Sequence, residues 1–153
     1  MDEWDEATIP SALEPDRKFQ IGLHPHYFKD IERVSDAKDY LEQYPQIKLI
    51  LDTAHLYLAG EDFLEVFKEY RARVVAIHIK DWTEQYDRSP FEFSRGFSTL
   101  GQGELTQQLV KIVKYLILTD YPGWLIVEQD TPQGGTPLEC ASRSREWLRQ
   151  QGI

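Results

Sequence analysis

The chain has 153 residues, 41% of them hydrophobic, and a formal net charge of -9. No apolar stretch approaches the roughly 18 residues that suggest a membrane span, and the single cysteine, Cys140, excludes an internal disulfide or a cysteine-based zinc centre. The acidic balance argues against binding a nucleic-acid backbone, whereas an oxygen-rich small molecule held through a metal ion remains compatible with it.

Residues 1–18 contain Pro10 and Pro15, and carry six acids with no base up to position 16. They read as a flexible acidic lead-in. The opening MDEWDEATIP lacks the basic and apolar regions of a secretory signal, so the cytoplasm is the expected location. A first strand is predicted over 19–23, followed by SDAKDYLEQY, a helix with Ser35 at its N-cap and Pro45 near its end. The second strand is placed at 47–51. The next helix, EDFLEVFKEYRA, sets Phe63, Leu64, Phe67 and Tyr70 at helical spacing, as packing against a sheet requires. A third strand covers 74–79. Residues 81–103 are rich in aromatics and show no clear period, the signature of a functional or mobile connection. A helix over 105–118, a strand over 124–127 and a helix over 137–150 complete the chain.

Four βα units predict an α/β fold with a parallel sheet. A doubly wound domain is one solution and half of a (β/α)8 barrel is the other. Three of the apolar runs help to choose: IKLILD closes on Asp52, VVAIH on His78 and WLIVE on Glu128. Buried parallel strands read as such runs, and active sites collect where they end. Convergence of several strand ends on one axis favours the barrel. A fourth candidate ligand, Glu32, lies shortly after FQIGLHPH.

Each residue also has a plainer interpretation. The carboxylates of Asp52 and Glu128, set behind apolar runs, need either a cation or hydrogen-bond donors. His78 is a ligand or a core histidine. Glu32 is a ligand or a solvated acid at a helix start. His24 and His26 flank Pro25 at a strand end, where one touches substrate hydroxyls while the other packs. Gly101 and Gly103 permit a tight turn before the third helix, since no phosphate-loop signature accompanies them. Trp82, Tyr86, Phe91, Phe93 and Phe97 wall a sugar site, seal a lid or cover an interface. Without a GxSxG or Cys-His pattern, covalent acyl transfer has no support.

The segments HPHYFKDIE, LILDTAHLYLAGED, AIHIKDW, FSTLGQGEL and YPGWLIVEQD, in this order, resemble the C-terminal half of sugar isomerase/epimerase TIM barrels of the xylose isomerase-like superfamily. The similarity is greatest to its inosose (2-keto-myo-inositol) dehydratases. It spans residues 19–153, although Tyr27, Phe28, Lys29 and Asp30 stand where the family usually has a Gly-Thr stretch. The resemblance implies a divalent ion (Mn, Co, Mg or Zn) held by Glu32, Asp52, His78 and Glu128. Beside the strand-end pair His24 and His26, it further implies substrate contacts from His55, Lys80 and Asp81, the last two in an HxKD motif whose plain alternative is a rim ion pair.

Such a cation would polarise a carbonyl and stabilise an enediolate as a proton leaves the neighbouring carbon, the first step shared by isomerisation, epimerisation and dehydration. Glu32 or Glu128 is the expected base, with His55 or Lys80 positioning oxygens. A full barrel takes ~250 residues, so completion is expected from a homodimer or a separate N-terminal half-barrel, unless the sequence is a gene fragment. The alternatives are a non-catalytic half-barrel acting as an assembly module and a metal phosphodiesterase of the endonuclease-like barrels.

Overall fold

The computed structural model describes residues 20–153; the acidic lead-in expected over 1–18 and the start of the first predicted strand lie outside them. The sheet contains four parallel strands in the order β1 (Gly22–Leu23), β2 (Lys48–Asp52), β3 (Val74–Ile79) and β6 (Trp124–Val127). Each strand lies beside the preceding one in the chain, apart from the inserted ribbon of β4 (Asp81–Trp82) and β5 (Phe97–Ser98), which pair antiparallel to each other. The order never reverses, as it would at the switch point of a doubly wound sheet, so the arrangement is the arc of a partial (β/α)8 barrel. Among the described residues, nothing pairs with the outer edge of β1 or of β6.

Five helices accompany the strands: α1 (Lys38–Gln43), α2 (Thr53–Leu58), α3 (Phe63–Tyr70), α4 (Thr106–Leu118) and α5 (Pro137–Gln151). Their apolar faces recur at helical spacing, with Phe63 and Phe67 buried on α3 and Leu109, Ile112, Val113 and Leu116 buried on α4. They cover one face of the sheet, where Leu49, Leu51, Ile77 and Ile79 join the same core cluster. A register shift between Leu49 and Ile50 lets Val74 join that core while Ala76 pairs with Ile50. The opposite face carries Ile50, Ala76, Trp124 and Ile126 along its length and ends in Asp52, His78 and Glu128. On β6 this face is open: Trp124 is 76% and Ile126 40% exposed.

The third and fourth predicted strands match β3 and β6, and the last two helices differ by a residue at an end. Two details differ. Ser35 is not an N-cap: it sits inside a 3-10 turn (Val34–Ala37), and the Asp36 carboxylate accepts from the amides of Glu32 and Arg33 in its place. Helix α2 was not anticipated, because six residues are too few to display a period. Among the described residues, no helix is long and apolar enough to cross a membrane.

Candidate metal and substrate site

Asp52 ends β2 and begins α2, so its carboxylate faces two ways. Oδ1 accepts the amides of Ala54 and His55, both at 3.0 Å, and thereby caps the short helix. Oδ2 accepts no hydrogen bond and is turned toward the open face of the sheet. Parallel pairing sets His78 directly beside Asp52 and opposite Ile126. Glu128, two residues beyond Ile126, and Lys80, two beyond His78, return to this same face by the twofold alternation of a strand. His24 reaches it from the end of β1.

The distances show one cluster. His78 Nδ1 lies 3.9 Å from Asp52 Oδ2 and 2.6 Å from Glu128 Oε2, and His24 Nε2 lies 4.0 Å from Asp52 Oδ2. Despite these approaches, all four atoms (His24 Nε2, Asp52 Oδ2, His78 Nδ1 and Glu128 Oε2) are buried without a hydrogen-bond partner. Buried polar atoms are rarely left this way. Ligand atoms of His24, Asp52 and His78 fall within 4.8 Å of one another, close enough to share an ion. Imidazole nitrogens and carboxylate oxygens form a mixed donor set suited to divalent first-row metals.

Among the described residues, Lys80 brings the only ammonium into this cluster. Its Nζ stands 3.3 Å from Asp52 Oδ2, 3.1 Å from Glu128 Oε1 and 3.1 Å from Asp130 Oδ2. Burial works against its charge, but the three surrounding carboxylates hold its pKa above the ordinary lysine range. For Asp52 burial dominates and pushes the carboxyl up, against the pull of Lys80 and the capping amide of His55. A buried hydroxyl fixes the lysine backbone: Thr53 Oγ1 accepts from the Lys80 amide and donates to the Lys80 carbonyl, each at 2.8 Å.

His55 is helical and 1% exposed. Its Nε2 is 3.5 Å from Lys80 Nζ, and its ring lies 3.6 Å from that of His26 and 5.5 Å from that of Phe97. Burial, with the nearby ammonium and imidazoles, pushes its pKa down to about 2. Burial and His78 lower His24 to about 4. Both are therefore neutral near pH 7. The half-buried His26 places its Nδ1 2.8 Å from the Tyr27 carbonyl, where the nitrogen is the donor because a carbonyl only accepts.

Two expected members stand apart. Glu32 does not join the cluster: its Oε1 accepts the Phe28 amide at 2.8 Å, closing the loop in which Phe28 adopts a positive φ of 64°. Asp81 lies fully buried beneath the rim, and its carboxylate is saturated. Trp82 and Leu105 amides donate to Oδ1, while Gly101 and Gly103 amides and the Thr106 hydroxyl donate to Oδ2, all within 3.0 Å. It has no free edge for a substrate and forms no ion pair with Lys80. Gly103 is required here, because a Cβ would come within 2.4 Å of both Asp81 Oδ1 and the Trp82 carbonyl. The two glycines thus build a carboxylate cradle as well as a turn.

The aromatics of 81–103 divide. Trp82 and Phe97 are core residues, Phe93 packs between His55, Phe97, Tyr27 and Phe28 at the mouth of the cluster, Tyr86 lies beneath Arg95, and Phe91 is exposed. Sequence reasoning missed Asp130 and placed His24 among substrate contacts alone. The signal for His24 was available: FQIGL closes on His24 just as the later runs close on Asp52 and Glu128.

Comparison with known proteins agrees with the architecture. Residues 9–151 match the family described as the xylose isomerase-like TIM barrel. An inosose dehydratase of Clostridium perfringens is 30% identical, across 92% of this chain and 50% of the relative. Among solved structures, a xylose isomerase domain protein of Alicyclobacillus acidocaldarius superimposes with a TM-score of 0.66 at 23% identity, covering 87% of this chain and 50% of the other. An E. coli 3-keto-D-glucoside 4-epimerase gives 0.63 at 18%, covering 86% and 46%. The chain spans about half the length of the curated relatives it matches. It belongs to the xylose isomerase-like TIM barrel family.

Proposed function

We propose that this chain carries the metal-holding half of an enzyme that isomerises, epimerises or dehydrates a small sugar or polyol. The observation that carries the reading is the meeting of the orphaned, buried donor atoms of His24, Asp52 and His78 at the C-terminal rim of a parallel sheet, with Glu128 Oε2 2.6 Å from His78 Nδ1. These four residues would hold a divalent ion (Mn, Co, Mg or Zn). Such an ion supplies Lewis-acid polarisation of a substrate carbonyl. The similarity to inosose dehydratases, 30% identical in one case, supports a keto-polyol as substrate.

The chain's own groups account for the rest of the chemistry. Glu128, whose side chain is 36% exposed, is the carboxylate best placed to take a proton from the carbon beside a carbonyl. Glu32 is not, since its carboxylate is engaged by the loop. The Lys80 ammonium faces the oxygen on which negative charge develops, and the proton taken up by Glu128 is the one available for return to carbon. Neutral His55 and the neighbouring His26 orient hydroxyls through ring nitrogens, and Phe93 excludes water from the mouth. The open face bearing Trp124 and Ile126 is where the remaining wall belongs, from a second copy or a separate N-terminal half-barrel.

The test is metal content of the purified protein beside that of Asp52→Asn, followed by solvent-proton exchange into an inosose or a ketose. An asparagine oxygen still caps α2, so far-UV dichroism is expected to persist while bound metal falls at least tenfold. A wild-type protein that takes up no divalent ion, or an Asp52→Asn variant that retains it, defeats the proposal. Solution mass reports separately on completion of the barrel.

A further inference from the structure

We propose that Asp130 is a tether that draws the Lys80 ammonium aside and so keeps Asp52 and Glu128 open to a divalent cation. This inference rests on the reading of the cluster as a metal site. Lys80 Nζ lies within 3.3 Å of Asp52 Oδ2 and 3.1 Å of Glu128 Oε1, so its charge competes for the oxygens that a cation needs. Its hydrogen bond to a carboxylate nevertheless goes to Asp130 Oδ2, at 3.1 Å, while Asp52 Oδ2 and Glu128 Oε2 remain without one.

The surroundings confine the ammonium to a short arc. Its side chain is 1% exposed, the Phe97 ring lies 4.6 Å beneath it, and His55 Nε2 limits it at 3.5 Å. The backbone of Lys80 is clamped by Thr53. Within that arc, the ammonium stands 3.1 Å from both Glu128 and Asp130 and 3.3 Å from Asp52, so Asp130 takes up part of a charge that would otherwise settle on the two metal carboxylates alone. The formal charges fit this division. Three carboxylates and one ammonium sum to two negative charges, which a divalent ion neutralises; without Asp130 the ammonium and the ion contend for two carboxylates.

A double-mutant cycle on the full chain tests the tether, with Mn2+ affinity read by calorimetric titration. Asp130→Asn is expected to weaken Mn2+ at least tenfold in the wild-type background. In a Lys80→Gln background the same substitution is expected to change affinity less than threefold, because no ammonium is left to collapse onto Asp52 and Glu128. Lys80→Met replaces Lys80→Gln in the cycle should the latter fail to fold. Equal weakening in both backgrounds would show that Asp130 acts only as a distant charge and overturns the proposal, as does an Asp130→Asn variant that binds like wild type. A wild-type chain that binds no Mn2+ overturns the metal reading itself, a distinct result.

Discussion

Asp81→Asn removes one acceptor from the most heavily bonded side chain of the structure without changing its shape. The amide group must replace either Oδ1, which accepts from Trp82 and Leu105, or Oδ2, which accepts from Gly101, Gly103 and Thr106. Thr106 can turn its hydroxyl to the Gly103 carbonyl, 2.8 Å away, but the amides cannot turn. Either orientation therefore orphans two buried N–H groups and sets an N–H donor against them. At about 1–3 kcal/mol for each unsatisfied buried group, the cost is about 2–6 kcal/mol. That is a large share of the roughly 5–15 kcal/mol that holds a typical domain together. Urea denaturation measures it, followed in parallel by far-UV dichroism and by the near-UV signal of Trp82, the buried neighbour whose amide is one of the donors. A variant within 1 kcal/mol of wild type would refute the claim that Asp81 is the keystone of the 99–106 loop.

Thr53→Val removes the hydroxyl that bonds both backbone groups of Lys80; a loss of about 2–4 kcal/mol is expected, with Thr53→Ser close to wild type in the same urea titration, and a Val variant of unchanged stability contradicts the clamp. The histidines predict the pH response. His24 and His55 are lowered to about 4 and about 2 in the fold, whereas an unfolded histidine titrates near 6.5. Between these values the unfolded chain binds more protons, so their contribution to stability is complete above pH ~6.5 and is lost as the pH falls toward 4 and below. The loss on acidification from pH 6.5 to 5 should be smaller in His55→Asn than in wild type when urea midpoints are compared; identical slopes would contradict burial as the cause.

The alternation of apolar runs with helical periods, read from the sequence, already placed β3, β6 and the two long helices, because side-chain pattern follows local backbone geometry. The same runs exposed Asp52, His78 and Glu128, since a polar residue behind a buried strand has few places to go. Family resemblance pointed to Lys80 and His55, though not to what they touch. Tertiary structure alone decided the remainder. Strand order separated the barrel arc from a doubly wound sheet. Pairing register set His78 beside Asp52 and, through the twofold alternation, brought Lys80 and Glu128 to the same face. A short helix capped by Asp52 buried His55, and five donors from residues 82–106 turned Asp81 from a rim acid into a buried keystone. Glu32 and His24 show the limit most directly: they are eight positions apart and both bear metal-compatible groups, yet the loop turns one carboxylate onto its own backbone and leaves the imidazole at the strand end to meet Asp52. Such choices depend on where distant segments lie in space, which no local pattern of residues encodes.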